Sequence, residues 1–427
     1  MLVFAMLGLL VVLLVLGLPL FFAMGATSLA YFYFSDINPA LVAQRMSAAV
    51  DSFLILAIPF FYLAGELMNA CRLTTRIVDM SRALVGHIHG GLAQVNIFAS
   101  MIFSGMSGSA TADTTALGSV LIPAMKKEGY PAPFSAAVTV ASAMVGPIIP
   151  PSVALVIYGA LADVSIGRLL LAGILPGLVI IATQMVFVYF YARAKGYPHY
   201  PRADLRSVIC AVYRGGPAAL FPVIIVAGIL SGVFTPTEAA AVAVLYGLVL
   251  GVVVYRNVSA AELWATLKTV SLGTARILAI IGAASAFSWI LVREQVPQSI
   301  AGGLSSISDQ PLVILLIMVV FLLIIGLFMI ASSAEIVLTP ILVPVVTSFG
   351  VDPVHFGVLM VFSLIIGGGT PPVGVLMFIA QGIAEISFGQ MVRAMLPFYV
   401  PLLAAVLIIA LVPEITLAIP NLVFGTQ

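Results

Sequence analysis

Long apolar runs separated by short polar ones make up most of the chain. About 20 apolar residues are needed to carry a helix across the hydrocarbon of a bilayer, because every backbone polar group must be paired inside the segment. On that criterion the sequence predicts spans near residues 1–16, 18–35, 51–70, 132–161, 166–192, 216–235, 237–255, 272–292, 354–382 and 390–412. The first run has no basic residue ahead of it, which reads as a retained span rather than a secretory signal. Residues 37–50, 72–88 and 257–271 are amphipathic and too polar to span, so helices lying along the membrane surface are expected there. Two further apolar regions, 90–127 and 311–346, are interrupted by small polar residues, Ser104 to Asp113 and Ala331 to Glu335. Each flank is about 15 to 18 residues, short for a span, which favours a re-entrant hairpin; two spans joined by a polar turn fit the hydropathy as well.

The chain also repeats itself. A shift of 221 positions lays Pro123 on Pro344, Pro150 and Pro151 on Pro371 and Pro372, and Pro176 on Pro397, with Gly105, Ser142 and Gly146 falling on Gly326, Ser363 and Gly367. Four of the ten prolines in residues 1–193 match at one ungapped offset, against about 0.6 by chance. Residues 1–193 and 216–427 therefore form two copies of one design, joined by a basic linker, 194–215.

Charge gives their relative orientation, since basic residues concentrate in cytoplasmic loops. Arg72, Arg76, Arg82, Lys126 and Lys127 follow spans of the first copy, while the matching stretches of the second hold only Arg293. Elsewhere the bias reverses: residues 36–51 carry only Arg45, and their counterparts carry Arg256, Lys268 and Arg276. An odd number of spans per copy would invert the second. The expected fold is an all-α polytopic membrane protein of two inverted repeats, each with about five spans and one re-entrant hairpin.

Composition sharpens this. Of 427 residues 62% are hydrophobic and only 17 Lys plus Arg and 16 Asp plus Glu carry charge, too few to cover a soluble globule. The net charge of +1 points to no polyanion, so no nucleic-acid partner is expected. Cys71 and Cys210 stand alone beside basic segments, and His87, His89, His199 and His355 lack metal spacing. No nucleophile elbow, phosphate loop or nucleotide fingerprint occurs, so an enzyme or an ATP-driven pump is not expected and no organic cofactor is implied.

Inverted repeats with broken helices are the recurring plan of secondary transporters. The breaks here are Ser104–Ser109, Gly146–Ser152, Ala331–Glu335 and Gly367–Gly374. Proline removes a helix donor and glycine permits non-helical dihedrals, which frees carbonyls to bind a cation, while nearby helix N-termini favour an anion. A single Pro more often only kinks a membrane helix; the Pro-Pro pair recurring in both copies argues for a site. Asp113 and Glu335, beside the two tips, are the candidate functional acids, since carboxylates in the membrane are costly. Glu66 and Glu238 sit near span ends, where snorkelling or helix capping serves equally.

The run from Ser104 to Gly159, opening SGMSGSATADTTALG and containing VGPIIPPS, resembles the large membrane subunit of tripartite ATP-independent periplasmic (TRAP) transporters. So do its partner run, Ser348 to Phe378, and IPFFYLAGELM at 58–68. The resemblance implies a Na⁺-driven importer of small anionic organic acids, carboxylates or sugar acids, in a bacterial inner membrane. It implies an elevator fold with scaffold and transport domains, and the unfused form, whose partners would be a small four-helix membrane subunit and a periplasmic substrate-binding protein. Carried over by position, one Na⁺ site would use Ser104, Ser107, Gly108 and Ser109 with Gly146, Ile149 and Pro151. Another would use Gly326, Gly367, Gly368, Thr370 and Val373. Substrate would lie between the tips, near Ser107, Asp113, Ser332, Ser333 and Glu335. The alternatives are a stand-alone divalent-anion/Na⁺ symporter or ion exchanger of related fold, and a channel or scaffold subunit without a coupled cycle.

Overall fold

The computed structural model describes residues 2–425; Met1 of the expected first span, and Thr426 and Gln427 of the second repeat, lie outside them. The first half contains α1 (Leu2–Val15), α2 (Leu20–Phe34), α3 (Ala40–Val50), α4 (Ala57–Ala70), α5 (Thr74–Val85), α6 (Gly91–Ser107), α7 (Ala110–Lys127), α8 (Ala132–Ala143), α9 (Val153–Ala162), α10 (Ile166–Ala172) and α11 (Ile174–Lys195). The second contains α12 (Leu205–Leu230), α13 (Pro236–Leu248, prolonged by a π-helix, Val249–Val254), α14 (Ala260–Arg293), α15 (Val296–Ser305), α16 (Pro311–Phe328), α17 (Ala331–Ser348), α18 (Pro353–Gly368), α19 (Val375–Ala384), α20 (Phe388–Met395), α21 (Tyr399–Leu411) and α22 (Glu414–Phe424). Among the described residues seven helical stretches are long and apolar enough to cross a membrane. The chain is a multi-pass, all-helical membrane protein.

The 221-residue shift read from prolines also holds for helices. It carries α7 onto α17 residue for residue and brings α6 within one residue of α16. Both candidate hairpins are pairs of helices joined by two residues, Gly108-Ser109 and Met329-Ile330. The expected spans 132–161 and 354–382 are each broken, at 144–152 and 369–374, into α8 and α9 and into α18 and α19. The Pro150–Pro151 and Pro371–Pro372 peptide bonds are both cis.

The halves interlock. After its break α9 packs on α17 and α18 of the other half, and α19 packs reciprocally on α7 and α8. Tyr158 Oη of α9 donates to the Pro353 carbonyl at 2.7 Å, and Lys126 Nζ donates at 3.2 Å to the Ala384 carbonyl at the end of α19, where a cation suits the helix dipole.

Residues 205–215, expected in the linker, are instead the first part of α12, one helix of 26 residues. The stretch 257–271, expected as a separate surface helix, instead runs from residue 260 into α14, which is unbroken for 34 residues. Ser259 and Glu262 start it with a capping box, each side chain bonded to the other's backbone N–H. The corresponding stretch of the first half is interrupted between α3 and α4, where Asp51 leaves helical dihedrals; at that point α14 has Leu272 and continues.

Candidate functional site

The first tip is shaped by its turn. Gly108 is left-handed (φ +59) and closes α6 with a bond from its N–H to the Ser104 carbonyl, 3.0 Å; Ser109 then caps α7, its Oγ accepting from Ala112 N at 3.4 Å. This turn folds α7 back so that Asp113 reaches α6. Ser104 Oγ donates to Asp113 Oδ2 at 2.8 Å and Ser107 Oγ donates to Oδ1. The carboxyl is 0% exposed.

Break 144–152 lies against this tip. A Cβ on Gly108 would stand 2.6 Å from the Pro151 carbonyl oxygen, one on Gly105 3.4 Å from that of Pro150, and one on Gly146 2.8 Å from Asp113 Oδ2. Ser152 closes the break by donating to the Pro147 carbonyl while accepting from Leu155 N at 3.0 Å. Among the described residues no hydrogen bond reaches the carbonyl oxygens of Ile148, Ile149, Pro150 and Pro151. Ile148, Pro150 and Pro151 are buried, and a buried carbonyl without a donor costs free energy that a cation or water would recover. Ile149 can offer only backbone, because its side chain is a hydrocarbon; that side chain packs against Gly177 of α11.

At the second tip backbone replaces side chain. A Cβ on Gly326 would lie 2.7 Å from the Leu364 carbonyl oxygen and 2.8 Å from Gly367 Cα, so α16 and α18 meet at glycine on glycine. Val373 N reaches the Leu327 carbonyl at 3.4 Å, tying the break to the hairpin. Gly367 and Gly368, expected inside the break, are the last helical residues of α18. The break itself spans 369–374. Thr370 turns its hydroxyl back to the Ile366 carbonyl at 2.7 Å, and Tyr399 donates to the Gly369 carbonyl at 3.0 Å. Again no hydrogen bond among the described residues reaches four consecutive carbonyls, those of Thr370, Pro371, Pro372 and Val373, but here Pro372 is exposed and its neighbours half-buried. The two breaks meet where the Met144 side chain packs on Gly369.

Comparison with known proteins agrees with this plan. The family model for the DctM component of the tripartite ATP-independent periplasmic transporters matches residues 7–415. The chain belongs to that family. It is 42% identical to the sialic acid TRAP transporter large permease protein SiaM of Vibrio cholerae, covering 96% of each chain. It is 40% identical to the isethionate TRAP transporter permease protein DctMQ of Oleidesulfovibrio alaskensis, covering 94% of this chain and 64% of that one. The solved YdaH transporter of Alcanivorax borkumensis shares the fold, with a TM-score of 0.67, 15% identity and coverage of 87% and 86%. The protein is thus a TRAP transporter large permease and not an enzyme.

Within this permease the residues named from sequence fall into two groups. Ser104, Ser107, Gly108, Ser109, Asp113, Gly146, Ile149 and Pro151 gather at one junction of tip and break, and Gly326, Gly367, Gly368, Thr370 and Val373 at the other. Asp113, expected among substrate ligands, sits inside the hairpin with both oxygens engaged. Ser332 is exposed and Ser333 half-buried at the start of α17. Glu335 is only 2% exposed, and its Oε1 has no partner among the described residues. A polar ladder below the first tip had not been singled out: Asn96 Nδ2 donates to Thr139 Oγ1 at 2.7 Å and Ser100 Oγ to Ser142 Oγ at 2.8 Å. Its signal is the four-residue spacing of Asn96, Ser100 and Ser104, one stripe on an otherwise apolar helix.

Proposed function

We propose that this permease imports a small organic anion with Na⁺ across a bacterial inner membrane, by an elevator movement of hairpins and broken helices against a scaffold. The two halves act as inverted repeats. Na⁺ is cargo, drawn by its gradient. The observation that carries the reading is that, among the described residues, each break leaves four consecutive carbonyl oxygens without a protein donor, those of Pro150 and Pro151 lying against Gly105 and Gly108 of the first hairpin. Stripped of water, Na⁺ needs such an oxygen cluster. At the first junction Ser104, Ser107 and Ser109 add hydroxyls and Asp113 adds charge; at the second Thr370 is the hydroxyl at hand. Bound Na⁺ and the N-terminal ends of α7 and α17 together favour an anion between the tips, with Ser332 and Ser333 as donors. Sialic acid and isethionate, in the names of the two relatives, are both anions at neutral pH. A periplasmic binding protein delivers the substrate and a small four-helix membrane subunit steadies the scaffold.

The test is reconstitution in liposomes with candidate binding protein and small subunit, measuring uptake with and without a Na⁺ gradient. Uptake should require all three proteins and Na⁺, and Ser107→Leu or Thr370→Leu should abolish the Na⁺ dependence. Uptake by this chain alone would make it a stand-alone symporter; sodium-independent, non-saturating flux would make it a channel. Intact Na⁺ dependence in both variants would remove the site assignment.

A further inference from the structure

One face of α11 backs the first break. Gly173, just before the helix, and Gly177 and Gln184 within it follow at steps of four and seven residues, and all three meet the stretch from the end of α8 to Ile149. A Cβ on Gly173 would run into the Ile148 carbonyl oxygen, and one on Gly177 would stand 2.5 Å from the Ile149 side chain. Gln184 reaches the last turn of α8. There Val145 N turns to the Ser142 carbonyl at 3.3 Å, so Ala141 loses its helical donor, and Gln184 Nε2 donates to the Ala141 carbonyl at 3.0 Å instead.

An amide is a costly choice at this place. Gln184 is 0% exposed, and its Oε1 has no partner among the described residues. Methionine would fill the space without an unpaired oxygen, so packing alone does not explain a glutamine, whereas holding one carbonyl at the mouth of the break does.

The second break is held from the corresponding helix by a different residue. The 221-residue shift lays Gly173, Gly177 and Gln184 on Ala394, Phe398 and Ala405, which repeat neither the glycines nor the amide. Tyr399, at the start of α21, takes over: its Oη donates at 3.0 Å to the carbonyl of Gly369, the residue that aligns with Ile148. Helices α11 and α21 pack on each other, so both supports belong to one wall. We propose that Gln184 and Tyr399 are positioning residues, each fixing one break through a carbonyl at its edge so that the donor-free carbonyls beyond it hold the geometry that Na⁺ requires. The proposal rests on the reading of the breaks as Na⁺ sites.

The test is Na⁺ titration of uptake by the complex reconstituted with binding protein and small subunit, at saturating substrate, together with thermal melting of each purified variant in the absence of Na⁺. Gln184→Met and Tyr399→Phe should each raise the Na⁺ concentration for half-maximal uptake about two- to fivefold, as the loss of one neutral hydrogen bond does, with the maximal rate at saturating Na⁺ kept within about twofold. Gln94→Met is the control. Gln94 is also a buried amide with an unpartnered Oε1, and it donates to the Met185 carbonyl of α11 at 3.0 Å and to the His89 carbonyl, away from either break, so its loss should move the melt without moving the Na⁺ midpoint. An unshifted midpoint in either positioning variant would overturn the proposal for that break and leave the ion sites standing, and an equal shift in Gln94→Met would reduce both to general packing. Uptake by the unaltered complex that ignores Na⁺ would remove the ion sites and the proposal together.

Discussion

Hairpin α6–α7 is fastened to α8 by side-chain hydrogen bonds, Asn96 to Thr139 and Ser100 to Ser142, whereas the positions 221 residues later hold Ile317, Met360, and Phe321 opposite Ser363. The second hairpin is fastened instead by the approach of Gly326 to Gly367. Membrane helices lack a strong hydrophobic drive to associate, so small-residue contact and buried hydrogen bonds are their two main means of holding together. Each half uses one of them for the same arrangement of backbone. The acids diverge too. Asp113 aligns with Ala334, and Glu335 aligns with Thr114, so the two carboxyls are not copies of each other. One is bound by two serines, and the other has an oxygen with no partner among the described residues.

The largest effect should separate the acids. Asp113→Asn keeps the shape but removes the charge beside the orphan carbonyls; apparent Na⁺ affinity in liposome uptake should fall about 30-fold or more, by analogy with breaking a buried charged pair. Glu335→Gln should cost less than about threefold, since Glu335 Oε1 has no partner among the described residues to hold it in place. Equal losses would mean that both acids serve the ion.

Next come the glycines. Gly326→Ala must push α16 from α18 and should destabilise by about 1–3 kcal/mol in a thermal melt, as overpacking does. Gly108→Ala should lose more than Gly129→Ala: both positions are left-handed, but a Cβ at 108 meets the Pro151 carbonyl and one at 129 meets nothing within 4 Å. The same melting shift in both would show that the turn alone, and not contact with the break, constrains Gly108.

The smallest effect is the sharpest comparison, because Ser142 and Ser363 are the same residue at equivalent positions. Ser142→Ala removes a bonded hydroxyl and should cost about 0.6–2 kcal/mol. Ser363 Oγ is buried without a partner among the described residues, so Ser363→Ala should be neutral or stabilising. Equal costs would show that the first half does not depend on its ladder.

Much of this was legible in the chain. Proline and glycine act locally, so the positions of Pro150, Pro151, Pro371 and Pro372 marked both breaks and the repeat before any contact was known. The serines of the first tip stood out as a polar cluster in an apolar run. The end of the second break was less legible, since glycine permits non-helical backbone without requiring it, and Gly367 and Gly368 stay helical. Amphipathicity over 257–271 marked a wet face but not a helix end, because nothing after Leu272 interrupts the hydrogen-bonded ladder until Glu294.

The sequence by itself determined the solvent, the helical class and the two Pro-Pro breaks, because each follows from the hydropathy or dihedral range of single residues; it put a third break at Ala331–Glu335, which is the first turn of α17, the turn itself falling at Met329-Ile330. Only the tertiary structure decided which oxygens come together. Asp113 meets Ser104 and Ser107 because Gly108 turns the chain through a left-handed residue, α9 and α19 cross to the opposite half, and Gln184 of α11 reaches the Ala141 carbonyl. Those pairings depend on distances between residues far apart in the chain, and no local pattern encodes a distance.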